Sequence, residues 1–127
     1  MNNDELDTVL CFSCEERYDY FLSVVGEEKE IWILVNRDSH FLKLYAEEEG
    51  FEYLPIWPAP EFAQAYGKED GELSPKSIAL PEFLKKWVPG LKRDSIDIGV
   101  IPGRDKSVWI TEAGELADDL KAELANF

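Results

Sequence analysis

The spacing of apolar residues changes several times along the chain, and each change marks an element. Cys14, Tyr18, Phe21, Leu22 and Val25 fall at i, i+4, i+7, i+8 and i+11, one stripe of a helix. Ser13 and Glu16 stand at capping-box spacing in front of it. Leu6, Val9 and Leu10 carry the same phase backward, so the helix can start as early as Asp4, and Gly26 is placed to end it. The next run, Ile31-Trp32-Ile33-Leu34-Val35, is β-branched and aromatic and has strand length. A turn cluster, Asn36-Arg37-Asp38-Ser39, separates it from Phe41, Leu42, Leu44 and Tyr45, which predicts a hairpin. Beyond the polar connection Glu47-Glu48-Glu49-Gly50, residues 51–57 read as a third strand, and Pro55 places it at an edge or near an end. Pro58 and Pro60 open a short helix bearing Phe62, Ala63 and Tyr66, with Gly67 closing it.

The second half follows the same logic. Residues 68–75 form a loop and residues 76–80 a short strand. Pro81 suits the first turn of a helix, where its missing N–H has no partner to lose; Phe83, Leu84, Trp87 and Val88 make the buried face, and Pro89-Gly90 ends it. Ile96, Ile98 and Val100 alternate within a strand over residues 95–101. Pro102-Gly103-Arg104-Asp105 is a turn, and residues 107–110 return as its hairpin partner. Thr111 is placed to cap a last helix with the stripe Ala113, Leu116, Ala117, Leu120 and Leu124. Hairpins outnumber βαβ units in this order. The pattern therefore predicts an α+β fold: a mainly antiparallel sheet of about five to six strands with helices packed against it. No repeat or linker divides the 127 residues, so one domain is expected, with residues 1–12 as an N-terminal extension or early helix.

Charge narrows the function classes. Acids outnumber bases 27 to 13, for a net charge of −14 with the single histidine neutral. That balance argues against nucleic-acid binding, which rests on neutralising phosphates. No apolar run approaches the ~20 residues that span a bilayer, so no membrane association is expected. An aromatic content of 13% sets the chain apart from disordered sequences. The N-terminus lacks a basic region and an apolar core, and only two cysteines occur. Together these predict a cytoplasmic protein. The acid is concentrated at the ends: residues 1–30 hold nine acids against two bases, and residues 94–127 eight against three. Such faces are usually solvated; here they also suit a basic protein partner. Nothing in the pattern sets an oligomeric state.

The middle and end of the chain carry more specific signals. Ile31-Trp32-Ile33-Leu34, Leu54-Pro55-Ile56-Trp57 followed by Phe62-Ala63, and above all the run from Ile78 through Phe83-Leu84-Lys85-Lys86-Trp87-Val88-Pro89-Gly90-Leu91, then Ile98-Gly99-Val100, resemble the bacterial domain-of-unknown-function family 2750. The resemblance covers roughly residues 18–124. It implies a small cytoplasmic bacterial protein and brings no catalytic or binding residue with it.

Few constellations carry chemistry. Cys11 and Cys14 have the spacing of redox and zinc sites, but no second pair completes a zinc set, and Glu15 and Glu16 oppose an activated thiol locally. His40 is the one imidazole base, in a hairpin with no nucleophile signature beside it. Carboxylates are too abundant to single out a pair. No glycine-rich phosphate loop occurs, and no cofactor, metal site or catalytic residue is assigned. Against the general acidity, Lys85, Lys86, Lys92 and Arg93 cluster around Trp87. With Trp57 they suggest a small aromatic and cationic binding site; helix-end cations and core tryptophans are the plainer account. The candidate binding residues are Trp57, Lys86, Trp87, Arg93 and His40. The function expected is a non-enzymatic protein-binding or regulatory module. The alternative is a small hydrolase using carboxylates and His40, which requires a pocket where they converge.

Overall fold

The computed structural model describes residues 3–38, 40–46, 50–67, 73–102 and 108–125. Ser39, residues 47–49 of the acidic connection, residues 68–72 of the expected loop and residues 103–107 of the expected last turn and strand lie outside the described residues. Two helices come first, α1 (Asn3–Leu10) and α2 (Cys14–Glu28). They are followed by β1 (Glu30–Val35), β2 (Leu44–Ala46), β3 (Phe51–Ile56), α3 (Pro60–Gly67) and β4 (Ser74–Ala79). A continuous helical rod comes next, made of α4 (Leu80–Glu82), a π-helical turn (Phe83–Trp87) and α5 (Val88–Arg93). The chain continues through β5 (Asp97–Val100) and β6 (Trp109–Thr111) to α6 (Ala113–Leu124). The fold is α+β and mostly antiparallel.

The strands divide between two sheets rather than forming one. β1 pairs antiparallel with β4, while β2-β3-β5-β6 form the larger sheet. Within it β2–β3 and β5–β6 are antiparallel, and β3–β5 is a parallel pair. The two sheets meet at a bridge in which Trp32 and Trp57 exchange backbone N–H···O bonds of 2.8 and 2.9 Å. The expected hairpin of β1 with residues 41–45 shortens to a single bridge, Val35 to Phe41, after which the chain leaves for β3. Pro55 sits near the end of β3, past the stretch that β2 covers, where its missing N–H breaks no β2–β3 bond.

Three element ends depart from the sequence reading. Helix α2 starts as expected: Ser13 Oγ accepts the Glu16 N–H at 3.2 Å and Glu16 Oε1 accepts the Ser13 N–H at 3.1 Å. It does not stop at Gly26, which is buried inside the helix. Lys29 takes the left-handed turn instead, at φ 60°, its N–H donating to the Val25 carbonyl. The second is Pro89-Gly90, which does not end its helix, because the π turn ahead of Pro89 lets the rod run on to Arg93. The third is the cap of α6, which is Glu112 and not Thr111; the Thr111 hydroxyl reaches Glu115 Oε2 at 3.4 Å. At the N-terminus, α1 and α2 are separate helices with a corner at residues 11–13.

One core of buried residues joins Phe21 and Val25 of α2, Ile31 and Ile33 of β1, Leu54 and Ile56 of β3, Phe83 of the rod, Ile98 of β5 and Leu116 and Leu120 of α6. The acidic ends thereby meet, since α2 packs on α6. Tyr18 stacks on Trp109 with ring centroids 5.0 Å apart and donates its hydroxyl to Asp119 of α6. Burial first, then that bond and the carboxylates of Asp119, Glu115 and Asp19, push the Tyr18 phenol well above its usual value. The unfolded chain ionises this phenol near pH 10 and the folded chain does not. Its contribution is therefore intact below about pH 10 and falls as the pH rises above it. Urea unfolding of wild type and Tyr18→Phe on either side of pH 10 checks this: wild type loses stability faster with rising pH than the variant.

Candidate functional site

The helical rod and the two turns beside it enclose a groove. Val88 donates its N–H to the Phe83 carbonyl, five residues back, which widens the turn by one residue. The wide turn keeps Phe83 and Val88 in the core but leaves Leu84 and Trp87 half-buried. It also precedes Pro89, which has no N–H to give to the ladder and whose ring would crowd a carbonyl of an ordinary α turn. At Gly90, which lines the groove, an added Cβ would meet nothing within 4 Å.

The rod ends in a Schellman arrangement. Ser95 takes the left-handed position at φ 57°, its N–H bonding to the Lys92 carbonyl, and Ile96 donates to the Leu91 carbonyl at 2.9 Å. That cap brings Ile96 over Leu91. From the other side, Asn36 Oδ1 accepts the N–H groups of Asp38 and His40 at 2.9 and 3.0 Å. The chain turns back and sets the Phe41 ring edge-on to Trp87, with centroids 5.2 Å apart and planes at 64°. The resulting groove holds about 230 Å³ and is lined by Phe41, Lys86, Trp87, Gly90, Leu91, Asp94 and Ile96. Its walls are apolar, with one ammonium and one carboxylate among exposed residues at its rim. Pockets that take drug-sized ligands hold roughly 300–1,000 Å³, so this smaller groove suits one large side chain.

Of the candidate binding residues, Lys86 and Trp87 line the groove. Arg93 is exposed and turns to Asp94, its Nε 3.4 Å from Oδ1, which partly neutralises the groove's carboxylate. His40 is exposed beside Phe41 and does not line the groove. Trp57 lies elsewhere, 1% exposed beneath α3, with its ring 5.4 Å from that of Tyr66. Lys85 and Lys86 stand within the continuing rod, not at a helix end; Lys92 and Arg93 occupy its last turn. Sequence reasoning missed Phe41, Asp94 and Ile96, which reach the groove through turns, and treated Gly90 and Leu91 only as the end of a motif. Among the described residues no group of three or more His, Cys, Asp or Glu is placed to hold a metal ion. Likewise, no described helix is long and apolar enough to cross a membrane.

The groove lies within the part of the chain that a family model matches. The model of a protein of unknown function (DUF2750) matches residues 18–120. The chain belongs to the DUF2750 family. No curated protein matches it. The DUF2750 match takes in the π turn, Pro89-Gly90 and the Schellman cap, and it begins after α1, Cys11 and Cys14.

Proposed function

We propose that this DUF2750 chain is a non-enzymatic binding module: the groove at Trp87 receives one apolar side chain of a protein partner, and the acidic surface where α2 meets α6 favours a basic one. The groove itself supports this reading. Its walls are aromatic and aliphatic, its size matches a single side chain, and Gly90 keeps it open at a helix position where glycine is unfavourable by about 1 kcal/mol relative to alanine. Steering by a charge of −14 raises the rate of encounter with a basic surface and weakens with salt. The hydrolase reading asks for His40 and converging carboxylates in one pocket. The groove's lining brings Asp94 without His40, so it lends that reading no support.

Gly90→Leu tests the module. A leucine at this lining position is expected to obstruct the groove, and replacing glycine in a helix is expected to raise stability by about 0.5–1 kcal/mol in thermal or urea unfolding. In pull-downs from native extract, wild type enriches a partner at low salt and loses much of it at high salt, while Gly90→Leu enriches none. A partner retained by Gly90→Leu would remove the groove from the interaction. The absence of any enriched partner at either salt would overturn the module.

A further inference from the structure

The corner between α1 and α2 holds a second chemical feature, outside the groove and outside the family match. Arg17 is 1% exposed, an unusual place for a guanidinium. Its Nη1 donates to the carbonyls of Phe12 at 2.8 Å and Leu10 at 3.4 Å, and its Nη2 donates to Cys14 Sγ at 3.1 Å. Cys14 is the first residue of α2, just after the Ser13 cap, and is half-buried. Cys11, at the end of α1, is exposed; its N–H is held by the Asp7 and Thr8 carbonyls. Both thiols are free and lie on one tight corner, separated by two residues. Reactive thiols occur at helix N-termini, beside arginine and with partial access to solvent, and Cys14 has all three features. Of the two acids that follow it and oppose activation, Glu16 is turned to the Ser13 N–H, and Glu15 is exposed, while Arg17 contacts the sulfur directly.

We propose that Cys11 and Cys14 form an oxidisable dithiol whose substrate class is the hydroperoxides, with Cys14 attacking and Cys11 resolving. In the first step Cys14 sulfur bonds to one oxygen of hydrogen peroxide and the O–O bond breaks. The thiol proton leaves with the other oxygen as water, and Cys14 becomes a sulfenic acid. In the second step Cys11 sulfur attacks Cys14 sulfur, the S–S bond forms, the S–O bond breaks, and the departing hydroxide leaves as water with the Cys11 proton. Two electrons pass from the thiols to the peroxide, and the chain loses two hydrogens. The disulfide ties the end of α1 to the start of α2 and turns Cys14 sulfur into a poorer acceptor for Arg17. Oxidation therefore loosens the contact that holds the corner. Arg17 is a positioning residue in this scheme. In a reducing compartment such a disulfide is transient, which suits a sensor rather than a structural staple.

The test uses the full, reduced chain, hydrogen peroxide at neutral pH, alkylation of the remaining thiols and intact mass. Wild type is expected to lose two hydrogens with no oxygen retained and both cysteines blocked to alkylation. Cys11→Ser is expected to yield a dimedone adduct on Cys14. Cys14→Ser, which keeps the exposed Cys11, is expected to react about tenfold or more slowly than Cys11→Ser. Arg17→Lys keeps the charge but loses the forked donors, and is expected to slow oxidation several-fold while circular dichroism reports a folded chain. Equal rates for the two cysteine variants, or wild-type oxidation no faster than that of free cysteine, would overturn the proposal. A folded Arg17→Lys with an unchanged rate would remove Arg17 from it. Should that variant not fold, the comparison of the cysteine variants decides alone.

Discussion

Trp57→Ala is expected to destabilise the protein by about 3–5 kcal/mol, the usual cost of emptying a buried tryptophan site. Its indole is 1% exposed beneath α3 and Tyr66, on the strand end whose backbone joins the two sheets. Domains of this size are stable by about 5–15 kcal/mol, so the variant loses a large share of its stability. Urea unfolding measures it. Trp87→Ala is expected to cost less, because Trp87 is half-buried and one side of its ring faces the groove, yet to lose the partner in the same pull-down. The two tryptophans that the sequence suggests together thus separate into a core role and a groove role. A Trp57→Ala chain that kept its stability and lost its partner would reverse that assignment.

Gly99→Ala is expected to cost about 1–3 kcal/mol despite adding a single methyl group. Gly99 pairs with Pro55 on β3 and with Ile110 on β6, in the middle of the larger sheet. The Tyr53 ring, diagonal to it across the parallel pair, lies over the glycine. An added Cβ would come within 2.6 Å of Tyr53 Cε2 and 3.0 Å of Val108 Cγ2. Neighbouring strands hold the backbone on both sides, so the ring has to move. In a Tyr53→Ala background the same substitution should cost markedly less, and a double-mutant cycle in urea measures that coupling. Additive costs would mean that the ring is not the obstacle.

How far the sequence could be read depended on how local each cause is. The strands at residues 31–35 and 51–56 and the stripe of α6 were legible because a run of β-branched residues or a helical period is a property of the segment itself. Partners were not. Residues 41–45 look like the return of a hairpin from β1, yet β3 claims Leu44–Ala46 and leaves β1 to β4, pairings set by parts of the chain far apart in sequence. Left-handed positions were hidden where a side chain other than glycine took them: Lys29 past the expected stop at Gly26, and Ser95 in the Schellman cap. Pro89-Gly90 reads as a terminator by every local rule, and only the π turn in front of it lets the rod continue. Part of the groove was therefore visible, as Lys86 and Trp87 in a distinctive motif. Phe41 and Ile96 were not, since their turns place them there. Arg17 escaped notice because arginine on a helix next to acids reads as surface.

The strand order sets the timing of folding. β1 waits for β4, whose register begins with Glu30 opposite Ala79, and β3 waits for β5, with Tyr53 opposite Asp97. Each sheet draws strands from distant parts of the chain, and the bridge at Trp32 and Trp57 locks one to the other. The loop-closure entropy of these long-range pairings has to be met before their contacts repay it, which favours slow, all-or-none folding. As the chain leaves the ribosome, α2 can form early, but the part of its apolar face that packs on β5, β6 and α6 stays uncovered until they emerge. The high acidity of the first thirty residues keeps such an incomplete chain in solution while it waits.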